Sequence, residues 1–253
     1  MKKIFLLLSI ALISLTSRAQ NILYIGNSYT YYNDSPAIFD SLARSQGRTP
    51  CISKFTKGGY TMQRHICEKE CRDLIRKGGY DIVILQDQSV NPALIGTKDA
   101  GFVIDGMREM IEFVRTHNPQ ARIILEITWG RRDGDNVLSG YKKYAEKYPK
   151  IFFDYSTMQA ALTRGVKVEA MMFGTEYSDV GTAWSQVREQ KPNLKLYVKD
   201  GSHPSYAGSY LAATVIYTSV YGKPLRGKVF NGRLAPRTAR FLRRTAWKNR
   251  QTE

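Results

Sequence analysis

ILYIGNSYTYYND, residues 22–34, carries an apolar segment straight into Gly26-Asn27-Ser28. Ile22–Ile25 reads as a buried strand, and the serine stands just past the point where that strand stops. A serine there is either a helix cap or a nucleophile, and the rest of the chain has to decide between them. Downstream, Ser35-Pro36 offers a helix start with proline in the first turn and Gly47 as its stop. Cys51–Phe55 predicts a second strand. The pattern over Thr61–Lys77 predicts one helix ending at Gly78-Gly79. Tyr80–Leu85, YDIVIL, reads as a strand buried on both faces, because it shows almost no alternation. A helix over Asp99–His117, a strand within ARIILEITW at 121–129 and a helix over Val137–Lys147 follow. Residues Tyr155–Phe173 fit either one helix or a helix and then a strand. Ser205–Tyr221 and the chain's last stretch read as helices.

This βαβα order predicts an α/β domain with a mostly parallel sheet and helices on both faces. Ligands of such sheets bind beyond the carboxyl ends of the strands. That rule places Gly26-Asn27-Ser28, Lys57–Tyr60, Gln86–Ser89 and Trp129–Arg132 along one rim.

Residues 1–20 begin with Lys2 and Lys3, continue through an apolar run and end in small residues around Ser17-Arg18-Ala19. That layout predicts a secretory signal peptide. The apolar run falls short of the ~20 residues that span a bilayer, and no cysteine follows it to accept a lipid. The expected domain is therefore 21–253, periplasmic or secreted, with no stable membrane insertion. Its length of about 230 residues suits one large domain. The three cysteines, Cys51, Cys67 and Cys71, allow at most one internal bridge. Cys67 and Cys71 fall four apart, a spacing that places both on one helix face, and the expectation is buried free thiols, with no structural zinc. Nothing in the pattern asks for a metal or another cofactor.

The formal charge is +16, and losing Lys2, Lys3 and Arg18 with a leader would lower it to +13. An exported address argues against nucleic acid as the partner. Anionic polysaccharide, lipopolysaccharide or an acidic substrate remains compatible through long-range attraction. In RLAPRTARFLRRTAWKNR, 233–250, the residues Ala235, Ala239, Leu242 and Ala246 form one helical stripe, so the late arginines also fit a solvated helix face.

GKPLRGKV at 222–229 has the outline of a phosphate-binding loop, but Val229 stands where a Mg²⁺-binding Ser/Thr belongs and a proline interrupts it. There is no G-x-S-x-G and no H-E-x-x-H. Of three histidines, His117 in RTHNP sits at a helix end and His65 lies within a helical pattern. His203 differs. In KDGSHPSYAGSYLAA, 199–213, it occupies a polar turn with Asp200 three residues before it, a spacing that lets the carboxylate reach one ring nitrogen and leave the other free.

GNSYT at 26–30 and DGSHPSYAG at 200–208 together resemble the SGNH (GDSL-like) hydrolase superfamily. GGYTM at 58–62, LQDQS at 85–89 and VGTAW at 180–184 resemble, in order, further blocks of an exported bacterial branch of it. The resemblance implies a three-layer α/β/α flavodoxin-like fold. It implies Ser28 as nucleophile, His203 as base and Asp200 as the acid that orients it. It also implies an oxyanion hole from the Ser28 and Gly59 amides and a third-block side chain. The usual third-block asparagine is replaced here, with Gln88 the best equivalent and Gln86 and Asn91 as rivals. Asn27 stands where many members have Asp. The implied activity is ester hydrolysis, with an O-acylated carbohydrate or a small ester as substrate. Tyr29 and Trp129, with Tyr31, Tyr32 and Trp184, are candidates for stacking on a sugar. Two other readings use the same residues: an O-acyltransferase acting on glycans, and a basic glycan-binding protein with a vestigial site.

Overall fold

The computed structural model describes residues 19–132 and 142–250. Almost all of the leader reading falls outside those residues, as does the first part of the helix expected over Val137–Lys147.

Among the described residues the sheet has five strands: β1 (Asn21–Gly26), β2 (Cys51–Thr56), β3 (Ile82–Leu85), β4 (Arg122–Ile127) and β5 (Glu176–Asp179). Their order is β2-β1-β3-β4-β5 and every pairing is parallel. The connections are short helices α1 (Ser28–Tyr31) and α2 (Ser35–Arg44), then α3 (Met62–Cys67) and α4 (Lys69–Arg76), and the long α5 (Ala100–His117). After them come α6 (Lys142–Lys147), α7 (Tyr155–Phe173), α8 (Val180–Gln190), α9 (Tyr206–Tyr221) and α10 (Pro236–Arg250).

The strands read as continuous apolar runs because both faces are covered. Ile22, Tyr24, Ile82, Ile84 and Ile124 face α2, α8, α9 and α10 in one core. Their neighbours Leu23, Ile25, Val83, Leu85 and Ile123 face α3, α4, α5 and α7 in a second. A third cluster, around Leu94, Val103, Phe152 and Leu162, packs the turn at Asn91–Leu94 against α5 and α7. Helix α9 is buried from Ala207 to Val220, which explains its lack of a polar face.

Two expectations change. The helix expected over Thr61–Lys77 is two helices, broken at Glu68, whose backbone is extended (φ −77°, ψ 127°). Tertiary contacts hold the break. Glu68 accepts a hydrogen bond from Tyr60 Oη (2.8 Å) and pairs with Lys57 (3.0 Å). Arg72 donates to the carbonyls of Ile66 and Cys67 that α3 leaves open (both 2.8 Å). Cys67 and Cys71 therefore lie on different helices. All three cysteines are free, but only Cys71 is buried; Cys51 and Cys67 are exposed. The ambiguous stretch Tyr155–Phe173 is one helix, closed by Gly174 at φ 57°, and β5 follows it.

Candidate active site

The order β2-β1-β3 reverses direction at β1, so the crossovers leave a crevice at its carboxyl end. The Gly26-Asn27-Ser28 turn sits there. A Cβ on Gly26 would lie 3.0 Å from Gln86 Oε1 and closer still to Thr30. Asn27 caps α1, its side-chain oxygen accepting from Tyr29 N (3.2 Å), and its amide donates to the carbonyls of Tyr60 and Asp87 (3.2 Å each). One side chain thus ties the nucleophile turn to the loops after β2 and β3. A carboxylate at position 27 could not donate to either carbonyl.

Ser28 Oγ donates to His203 Nε2 at 2.8 Å, and His203 Nδ1–H donates to Asp200 Oδ2 at 2.6 Å. The other carboxylate oxygen of Asp200 accepts from the backbone N–H groups of Ser202 (2.8 Å) and His203 (2.9 Å). Burial pushes the Asp200 carboxyl up, but its bonds to the His203 ring and to those two amides outweigh that, so it titrates below its ordinary value. The turn is closed by a bond from Val198 N to the His203 carbonyl (3.0 Å) and by Ser205, the cap of α9. The other histidines do neither job. His65 is fully buried beside Phe55 and Tyr60, and burial pushes it down to about 4. His117 Nδ1 bonds the Phe113 carbonyl (2.9 Å) at the end of α5.

A cleft of about 370 Å³ opens over Ser28, lined among others by Gly59, Gln88, Ser89, Arg131 and His203. Ser28 opens α1, so no carbonyl within the helix can accept from its amide. Gly59 holds φ +69°, a conformation other residues adopt only with strain. Gln88 is buried, its oxygen accepting from Val90 N (2.8 Å) and its nitrogen 3.3 Å from Ser89 Oγ. The rivals are turned to other work. Gln86 Oε1 accepts from Asn27 N (3.0 Å) and Thr30 Oγ1 (2.9 Å), while its amide nitrogen bonds the Asp87 carbonyl. Asn91 donates to Asp87 Oδ2 (3.1 Å). Asp87 in turn accepts from Met62 N (2.9 Å) and Gln88 N (2.7 Å), so it braces the Gln88 loop from beneath. Burial raises it to about 6 despite those bonds.

The aromatic expectations need correction. Trp129 and Trp184 are fully buried and leave no face open to a sugar, while Tyr29, nearly buried, still lines the cleft. They form a ladder instead: Tyr29 on Trp129 (4.6 Å, 3°) and Trp129 on Trp184 (4.1 Å, 8°). Tyr29 Oη bonds Ser202 Oγ (2.6 Å) and Trp129 Nε1 donates to the Ser202 carbonyl (3.0 Å). Their work is to hold the residue before His203. Tyr31 and Tyr32 are the exposed pair, and Tyr32 stacks on the His203 ring (5.0 Å). Arg131, nearly fully buried and 3.3 Å from Ser89 Oγ, also lines the cleft. Its position just after β4, within the predicted rim segment, was the signal that could have singled it out. Among the described residues, no three His, Cys, Asp or Glu side chains are grouped to hold a metal ion, and no helix is long and apolar enough to cross a membrane.

No family model matches the sequence, and neither does any curated protein. Solved structures do. A DUF4886 family protein from Bacteroides uniformis is similar at 17% identity over 91% of this chain and 94% of its own, with a TM-score of 0.73. A candidate SGNH hydrolase from Slackia heliotrinireducens is similar at 22% identity over 80% and 99%, with a TM-score of 0.63. A catalytic mutant of an acetylxylan esterase from Geobacillus stearothermophilus is similar at 17% identity over 83% and 97%, with a TM-score of 0.52. At such identities the fold is what is shared. The chain has the three-layer α/β/α fold of the SGNH hydrolases.

Proposed function

We propose that the chain is an exported serine esterase that removes acyl groups from O-acylated carbohydrates through Ser28, His203 and Asp200. The observation that carries the reading is the continuous pair of bonds from Ser28 Oγ to His203 to Asp200, at 2.8 and 2.6 Å, beside an open cleft. Similar folds that include an SGNH hydrolase and an acetylxylan esterase support ester hydrolysis, and the leader expected over residues 1–20 supports export.

Ser28 Oγ attacks the ester carbonyl while its proton passes to His203 Nε2. The Asp200 carboxylate holds the ring in the tautomer that accepts at Nε2 and stabilises the imidazolium that forms. The carbonyl oxygen becomes an oxyanion, held by the amides of Ser28 and Gly59 and by the Gln88 side chain. Anchoring of Gln88 through its oxygen leaves an N–H free to donate. Collapse breaks the bond to the sugar oxygen, which leaves with the proton from His203. Water, deprotonated by His203, then attacks the acyl-serine and releases the acid. The His203 side chain is 28% exposed, so water reaches it.

The test is purified protein on p-nitrophenyl esters of graded length and on acetylated polysaccharides, wild type beside Ser28→Ala. Acetate release by the wild type, lost in the variant, is the expected result. Equal release by both would reject it.

A further inference from the structure

Two residues past β3, Asp87 is buried and takes no chemical step in the proposed mechanism. Its Oδ1 accepts from two amides at once, Met62 N (2.9 Å) at the start of α3 and Gln88 N (2.7 Å). Its Oδ2 accepts from Asn91 Nδ2 (3.1 Å), which ties down the far side of the Gln88 loop. The Asp87 carbonyl accepts from Asn27 Nδ2 (3.2 Å), whose other bond, equally long, goes to the Tyr60 carbonyl. Asp87 therefore joins the loops that follow β1, β2 and β3. Gly59 stands three residues before Met62, in a turn closed by a bond from Tyr60 N to the Lys57 carbonyl (3.3 Å). The chain just after Gly59 is thus pinned at Tyr60 and again at Met62, and a shift of Met62 would carry Gly59 with it.

We propose that Asp87 is the positioning residue of the oxyanion hole, its Oδ1 setting the Gly59 amide and the Gln88 side chain at the spacing one oxyanion needs; the proposal rests on the esterase reading. Hydrogen bonds to a carboxylate are roughly twice as strong as those between neutral groups, so one buried oxygen holds both loops before substrate arrives. Donors fixed in advance need no reorganisation as charge develops on the substrate oxygen. Loosening them therefore costs the transition state more than the bound ester, and the loss falls on kcat. Asparagine at this position keeps an oxygen where both amides point. Its nitrogen then faces Asn91, whose amide turns to accept from it. Alanine keeps neither acceptor.

The experiment compares Asp87→Ala with Asp87→Asn. On p-nitrophenyl acetate, Asp87→Ala should lower kcat by about tenfold to a hundredfold with KM little changed, and Asp87→Asn should restore kcat to within about threefold of wild type. Affinity for an alkyl trifluoromethyl ketone, whose adduct with Ser28 carries an oxyanion, should fall by the same factor as kcat/KM. A second pair serves where Asp87→Ala does not fold. Met62→Pro removes the N–H that bonds Asp87, and proline suits both the first position of α3 and the extended Thr61 before it (φ −92°, ψ 164°). Met62→Ala also loses the methionine side chain but keeps the N–H, so an excess loss of kcat in Met62→Pro, about fivefold or more, reads that bond. Hydrogen exchange at the Met62 and Gln88 amides stands apart from catalysis; protection should fall in Asp87→Ala and persist in Asp87→Asn. If wild type hydrolysed no ester while exchange followed that pattern, the esterase reading would fall and the tie between the two loops would remain. A wild-type kcat in Asp87→Ala, or no excess loss in Met62→Pro, would overturn the proposal. So would an Asp87→Asn enzyme as slow as Asp87→Ala, because the loss would then follow the charge and not the accepted bonds.

Discussion

At the scale of single residues, the proposed mechanism makes Ser28 and His203 one unit, so Ser28→Ala, His203→Ala and the double variant should each lose nearly all esterase activity to a similar depth. Kinetics on a p-nitrophenyl ester would check this; additive losses would contradict it. Asp200→Asn should retain more than either, because nucleophile and base are both still present even though the amide no longer holds the ring in the tautomer that accepts at Nε2. Gln88→Ala should lower kcat by about 10²–10³ with KM little changed, the usual loss for one oxyanion donor. A wild-type kcat would mean that Gln88 only ties its loop to Val90. Asn27→Asp tests the turn itself. It puts an acceptor where Asn27 donates to two carbonyls, and a drop in unfolding free energy of about 1–3 kcal/mol is expected from the groups left unmatched. The turn at Ser28 and the three-residue step from Asp200 to His203 were legible from local chain geometry, whereas the nucleophile role of Ser28 and the donor role of Gly59 came only with the resemblance of their motifs to a known family. Trp129 was not. Whether an aromatic residue at a rim stacks on a ligand or on its neighbours depends on what covers it, and here Tyr29 and Trp184 cover both faces. Arg131 was hidden for the same reason: one arginine among many shows its burial only in the folded chain.

At the scale of elements, the strands and most helices could be read because apolar period and caps are written locally. The break at Glu68 could not. Its extended backbone is held by Lys57, Tyr60 and Arg72, partners from neighbouring segments that no periodicity announces. The same level carries a pH prediction. Glu126 on β4 is buried, and burial alone raises it from an ordinary 4.5 to about 7. A carboxyl raised on folding keeps its proton in the native chain after the unfolded chain has lost it. Its favourable contribution is therefore complete below about pH 4.5 and disappears as pH rises through about 7. The shift corresponds to on the order of 3 kcal/mol. Denaturant unfolding should find Glu126→Gln more stable than wild type at pH 8 and the two alike at pH 4. A variant no more stable at pH 8 would show that the charge is accommodated. Tyr29→Phe tests the aromatic ladder. Losing the bond to Ser202 should lower kcat several-fold, about 1 kcal/mol, with little change in KM. A rise in KM alone would return Tyr29 to a ligand-binding role.

At the scale of the whole molecule, the sheet order does the decisive work. Ser28 and His203 lie 175 positions apart in the chain. The crevice at β1 and the turn before α9 bring them into contact, while α9, buried along nearly its whole length, fixes that turn against the core. The alternation of strands and helices made this architecture legible before any contact was known. Whether this long-range contact makes Ser28 a nucleophile is decided by covalent labelling. The protein is treated with an alkyl fluorophosphonate and the modified residue is located by peptide mass spectrometry. A single adduct on Ser28, abolished by His203→Ala in a protein that still folds, is the predicted result. An unlabelled Ser28, or labelling that persists without His203, would contradict it.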